Sequence, residues 1–170
     1  MGGGPAFFRT PMLWAIGCIV VLAIGGLIRI TIANIGEYRV LHDTYYVVVH
    51  WHYVLWWTAA FGIFAAWYYL FPKVTGYAYS DFLSQLHFWL SFIGVITKLV
   101  SDLLIVAGIA GWAADVPQDA VTHLNLVSSI GAYVFAAGIL VFLANMILSF
   151  LRRRPSQLNA TKFGRGRCDM

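Results

Sequence analysis

The chain has 170 residues, of which 61% are apolar and 11% charged, against about 45–50% and about 25% in soluble globular domains. At a mean hydropathy of +0.77 so few charges cannot cover a water-soluble surface, which excludes a soluble enzyme, a disordered chain and a nucleic-acid binder. The net charge of +4 comes largely from the end of the chain, where Arg152, Arg153, Arg154, Lys162, Arg165 and Arg167 follow the last apolar stretch; that is the inner flank of a membrane protein, not a nucleic-acid face.

An α-helix needs about 20 predominantly apolar residues to cross a bilayer, and four stretches reach that length. The first spans about 12–35 and is opened by Pro11, since proline is tolerated in a first helical turn. It is too long for a signal-peptide core and has no basic segment ahead of a small-residue cleavage site. The second spans about 44–71 and is expected to stop at Pro72. The third spans about 82–110 and the fourth about 121–151, ending in Arg152-Arg153-Arg154-Pro155. The expected fold is an all-α membrane protein, with a four-helix transmembrane segment over 1–155 and a basic inner-side tail over 156–170. Cys18 lies in an apolar run and Cys168 in the tail, so the two form no disulfide framework.

Lysine and arginine counts set the orientation. Four spans put both termini on one side, together with Arg9, Lys73 and the six basic residues of the tail. The opposite side has Arg39 in a loop and Arg29 near a helix end. Both termini are therefore expected on the cytoplasmic or matrix side of a bacterial cytoplasmic or mitochondrial inner membrane.

Ionisable groups in hydrocarbon are costly and mark function by default. The second span holds His50 and His52 in a His-Trp-His run. Residues two apart on a helix differ by about 200° in direction and about 3 Å in height. One metal centre cannot use both imidazoles at that spacing, but two centres on opposite flanks can. The alternative is two histidines hydrogen-bonded to neighbouring helices. Where the outer loop enters this span, His42 and Asp43 adjoin. Asp43 suits a helix N-cap, and the pair also suits a hydrated Mg²⁺; both readings stay open. Tyr45, Tyr46, Trp51, Tyr53, Trp56 and Trp57 surround the histidines, as an interfacial belt or as walls for a flat tetrapyrrole.

The run Leu41-His42-Asp43-Thr44-Tyr45-Tyr46-Val47-Val48-Val49-His50-Trp51-His52-Tyr53-Val54-Leu55 resembles the signature of subunit I of the haem–copper cytochrome c oxidases. Thr10 to Ala15 and Gly25-Gly26-Leu27 resemble that family's ninth helix. Tyr68 to Gly76 and Leu86 to Val95 resemble the region of its tenth and eleventh helices, and Ser128 to Tyr133 the start of its twelfth. The resemblance covers nearly the whole chain and implies a fold forming part of a larger haem–copper oxidase helical bundle. It implies that His50 is the axial ligand of the high-spin haem and hence catalytic, that His52 is an axial ligand of the low-spin haem, and that His42 and Asp43 help to bind Mg.

The same resemblance implies two haem A groups shared with a partner chain, and copper held by helices that this stretch does not contain. The implied partners are a polypeptide carrying the N-terminal helices of subunit I, oxidase subunits II and III, cytochrome c and membrane lipid. The implied reaction carries electrons from cytochrome c to dioxygen with proton translocation, and a chain of these four spans is not expected to perform it alone. A split subunit, a diverged paralogue and a truncated gene all fit. A non-catalytic subunit or assembly protein, and a free-standing b-type cytochrome carrier, are the other functional readings.

Several positions depart from the family pattern. Leu99-Val100-Ser101-Asp102-Leu103 replaces a Phe-Phe-Pro-x-His stretch, Trp112-Ala113 replaces the arginine pair that holds the haem propionates, and Tyr38 and Ile28-Arg29 replace an acidic residue and a Thr-Gly pair. Arg39, three residues before His42, is the expected substitute propionate partner, with Arg29 behind it; Arg29 alternatively snorkels to the headgroups. Lys98 and Asp102 are one turn apart and are expected to pair, with a proton path through Asp102 as the alternative. His87 is expected to be a hydrogen-bonding residue and not a ligand, and His123 to be interfacial.

Overall fold

The computed structural model describes residues 10–34, 45–109 and 117–153. They form four helices: α1 (Thr10–Asn34), α2 (Tyr45–Val74), α3 (Asp81–Ile109) and α4 (Gln118–Arg152). The described residues are thus all-α, and each helix contains an apolar window long enough to cross a bilayer. Only 22 to 39% of each window is buried within the chain. The outer surface is correspondingly apolar, with Ile19, Leu27, Ile63, Leu126 and Leu140 more than half exposed. Such a surface is stable against lipid or other apolar helices and not against water.

The helix ends follow local chemistry. Thr10 precedes Pro11, and the Thr10 hydroxyl bonds that of Ser84 at 2.7 Å, tying the start of α1 to α3. α2 runs through Pro72 to Val74 instead of stopping at Pro72. Proline's fixed φ suits a helix; what it lacks is one N–H donor. The final turn is closed beyond it, because the Phe71 carbonyl accepts both the Thr75 N–H at 2.9 Å and the Thr75 hydroxyl at 2.7 Å. Arg153 closes α4 in the left-handed region at φ 42°, donating its N–H to the Ser149 carbonyl.

In lipid there is little hydrophobic drive between helices, so close packing and polar ties decide association. α3 and α4 form the most extensive pairing, antiparallel, with Ser80 near Asn145 at one end and Asp102 near Ser128 at the other. Their backbones come into contact at Gly94 and Gly131. A methyl group added at Gly94 would lie 2.6 Å from the Gly131 carbonyl oxygen, and one at Gly131 would lie 2.7 Å from the Gly94 carbonyl oxygen. α1 packs on α2 and reaches α3. The core that joins them is aromatic: Trp14, Phe61 and Tyr68 are fully buried, with Phe71 and Phe88 nearly so.

Gly131→Ala is expected to destabilise the bundle, because two backbones would have to separate. In an open helix the same change stabilises by roughly 1 kcal/mol. Gly26, whose added methyl would meet nothing within 4 Å, is the control, and Gly26→Ala should be neutral or stabilising. Titration with a denaturing detergent, followed by tryptophan fluorescence, reads the opposite signs.

Candidate functional site

Arg39, His42 and Asp43 lie outside the described residues, as do Trp112 and Ala113. His50 and His52 belong to α2, which is helical without interruption from Tyr45; their side chains, and that of Arg29, lie outside the described ones. The continuous helix keeps positions 50 and 52 at about 200° to each other around its axis. Each position therefore continues into its own stripe of described residues.

The two stripes differ. Positions 54, 57 and 61 continue the stripe of position 50. Val54 is buried, and a methyl group added at Gly25 of α1 would lie 2.5 Å from it. The Trp57 ring meets Phe135 of α4 edge-on at 4.6 Å, and Phe61 is fully buried against Trp14 and Phe88. Positions 56 and 63 continue the stripe of position 52, and here Trp56 is 72% and Ile63 64% exposed. One flank of α2 is thus lined by α1 and α4, while the other presents an indole and aliphatic side chains outward. The buried Trp57 Nε1 and Thr58 Oγ1 have no hydrogen-bond partner within the described chain. By residue type, imidazole suits haem iron. Among the described residues no three of His, Cys, Asp and Glu come together.

His87 is fully buried, and its Nδ1 lies 3.0 Å from the Tyr68 hydroxyl. Its ring is held by Trp14 at 4.6 Å, Phe64 at 4.7 Å and Phe142 at 5.2 Å, one residue from each of the other helices. The expected hydrogen-bonding role is what the structure shows. His123 is exposed near the start of α4. Lys98 and Asp102 pair at 3.2 Å, and the Ser128 hydroxyl joins them, a contact that sequence spacing within α3 cannot reveal. The tie between Asn145 Oδ1 and the Ser80 N–H at 3.1 Å escaped the sequence for the same reason: its partners are 65 positions apart.

Comparison with known proteins gives the family. Residues 1–134 match the family model described as Cytochrome C and Quinol oxidase polypeptide I. The chain belongs to that family. It is 36% identical over 164 residues to cytochrome c oxidase subunit 1 of Cereibacter sphaeroides, which covers 96% of this chain and 28% of that protein. It is 41% identical over 152 residues to a probable cytochrome c oxidase subunit 1-beta of Nocardia farcinica (strain IFM 10152), covering 88% of this chain and 26% of that protein. The chain spans little more than a quarter of the length of these curated relatives. Family and apolar helices together make this subunit I relative an integral membrane protein.

Tyr68→Phe leaves the buried His87 Nδ1 without its hydroxyl. The expected cost is about 1–3 kcal/mol of stability, read as a lower denaturation midpoint in detergent with the helical circular dichroism unchanged beforehand.

Proposed function

We propose that this chain is part of a cytochrome c oxidase-type terminal oxidase, in which electrons pass from cytochrome c to dioxygen, giving water, with proton translocation. What carries the reading is the fifteen-residue run with His50 and His52 on the uninterrupted helix α2, inside a chain of the subunit I family. His50 serves as axial ligand of a high-spin haem and His52 as axial ligand of a low-spin haem, both haems being of the A type. These groups, when bound, supply the redox chemistry. The chain's own part is to present two neutral imidazoles on opposite flanks of one helix, with the tautomer of each set by whatever its other ring nitrogen bonds.

The outward face below position 52, with Trp56 and Ile63 exposed, supports a site closed from outside by further subunit I helices, whether on the same or a second polypeptide. Those helices would also hold the copper, and oxidase subunits II and III would complete the complex. His42 and Asp43 hold a hydrated Mg²⁺ at the outer boundary, and both termini lie on the cytoplasmic or matrix side. The residues 156–170 form the basic inner-side tail.

Replacement of each histidine in the assembled complex tests the ligation. His52→Ala should remove the low-spin haem signal and spare much of the high-spin one. His50→Ala should do the reverse and abolish carbon monoxide binding. Unchanged spectra from both would refute axial ligation and turn the reading to a non-catalytic subunit, whereas equal loss of both signals would point to misassembly.

Haem propionates are anions in a poorly polar setting and need cationic or hydrogen-bonding partners. With Trp112-Ala113 where the family has arginines, Arg39 is the proposed partner. Removing one member of a buried charge pair costs about 3–5 kcal/mol, and a bare anion favours ferric iron. Arg39→Ala should therefore lower the midpoint potential or the occupancy of at least one haem. A redox titration matching the unaltered protein, at full haem content, would assign the cations to partner helices.

A further inference from the structure

Lys98 and Asp102 stand one turn apart on α3 within a segment apolar enough to span the membrane. Lys98 Nζ lies 3.2 Å from Asp102 Oδ2 and donates to Ser128 Oγ on α4 at 3.0 Å. The Ser128 hydroxyl in turn donates to Asp102 Oδ1 at 2.9 Å. The three side chains close a ring in which each member contacts the other two, and both carboxylate oxygens are engaged. Ser128 is 6% exposed, and the Lys98 and Asp102 side chains are 17% and 31% exposed.

An ion pair between residues of one helix does not by itself join that helix to another. The serine changes this, because it stands on α4 and bonds both charges. Ser128 lies three residues before Gly131, and Lys98 four residues after Gly94, so the ring sits about one turn from the point where the two backbones touch. At the glycine contact little side-chain volume stands between the helices, with Thr97 Cβ 3.3 Å from where a methyl group on Gly131 would lie, so packing there opposes rotation only weakly. A hydroxyl that must reach two charges on the facing helix removes that freedom. Rotation of α3 would take the ammonium and the carboxylate away from Ser128 and turn them toward hydrocarbon, where ionised groups are strongly disfavoured. Nearby, Ser101 returns its hydroxyl to the Thr97 carbonyl at 2.9 Å, so this part of α3 keeps its polar groups satisfied.

We propose that Lys98, Asp102 and Ser128 form a charged lock that fixes the rotation of α3 against α4, and that Asp102 serves this lock and not a proton path. The lock is independent of haem ligation at His50 and His52.

The test is a mutant cycle on the full chain, with folding read by titration with a denaturing detergent and oxygen consumption read on the assembled complex. Ser128→Ala should lower the ratio of folded to unfolded chain at least about threefold. It should cost nothing in the Lys98→Met/Asp102→Leu background, where no charge remains to bond. Asp102→Asn alone should lower the ratio by more than the double replacement does, since it removes the carboxylate 3.2 Å from Lys98 Nζ while keeping the ammonium. Should Asp102→Asn not fold at all, the two Ser128→Ala measurements still decide the matter. Equal cost of Ser128→Ala in both backgrounds, or no cost in either, overturns the lock. So does an Asp102→Asn protein that folds like the parent but consumes oxygen slowly, which would restore the proton path.

Discussion

The backbone contact of α3 with α4 at Gly94 and Gly131 is the constraint on which the polar interior depends. With each glycine that close to the other's carbonyl oxygen, the helices lie near enough for short side chains to bridge them. Ser128 reaches Lys98 and Asp102 beyond the crossing on one side, and Asn145 reaches the Ser80 backbone on the other. A single methyl group at the crossing would part the axes, and hydroxyl and amide side chains are too short to follow. Close approach therefore precedes polar satisfaction, in the order expected where lipid gives helices little reason to associate by burial alone.

The α3–α4 hairpin then serves as a floor for α1 and α2. Trp14 of α1 is the element that joins them, with its ring against Phe61 and Phe64 of α2 and against His87 and Phe88 of α3. His87 is buried among these rings and bonded to Tyr68, so α2 and α3 share a directional tie inside an otherwise apolar cluster. Aromatic rings at tilted and edge-on angles carry favourable quadrupole contacts, and they make the half of the bundle that holds the start of α1 rigid. The upper half of α2, where positions 50 and 52 lie, continues from this rigid part. The rotation of α2 is accordingly set by Phe61 and Tyr68 below, well away from the histidines.

That rotation decides which flank of α2 belongs to this chain. Val54, Trp57 and Phe61 turn one stripe toward α1 and α4, and Trp56 and Ile63 leave the opposite stripe open.

The number and type of the helices were legible in the sequence, because length and hydropathy alone dictate membrane spans and because the backbone in lipid has no alternative to the helix. The placing of His50 and His52 on one helix, and the family, were legible too, since both reside in contiguous residues. The pairing of Lys98 with Asp102 followed from their one-turn separation. α2 runs three residues past the end expected from Pro72, because Thr75 closes its last turn onto the Phe71 carbonyl. Only the tertiary structure decided that Ser128 completes the charged ring, that Tyr68 is the partner of His87, and that the stripe of position 52 is the open one. These facts depend on how helices far apart in the chain meet. Helix meeting depends on side-chain volume at a few points such as Gly94 and Gly131, and the periodicity of a uniformly apolar helix holds no record of which face will be chosen.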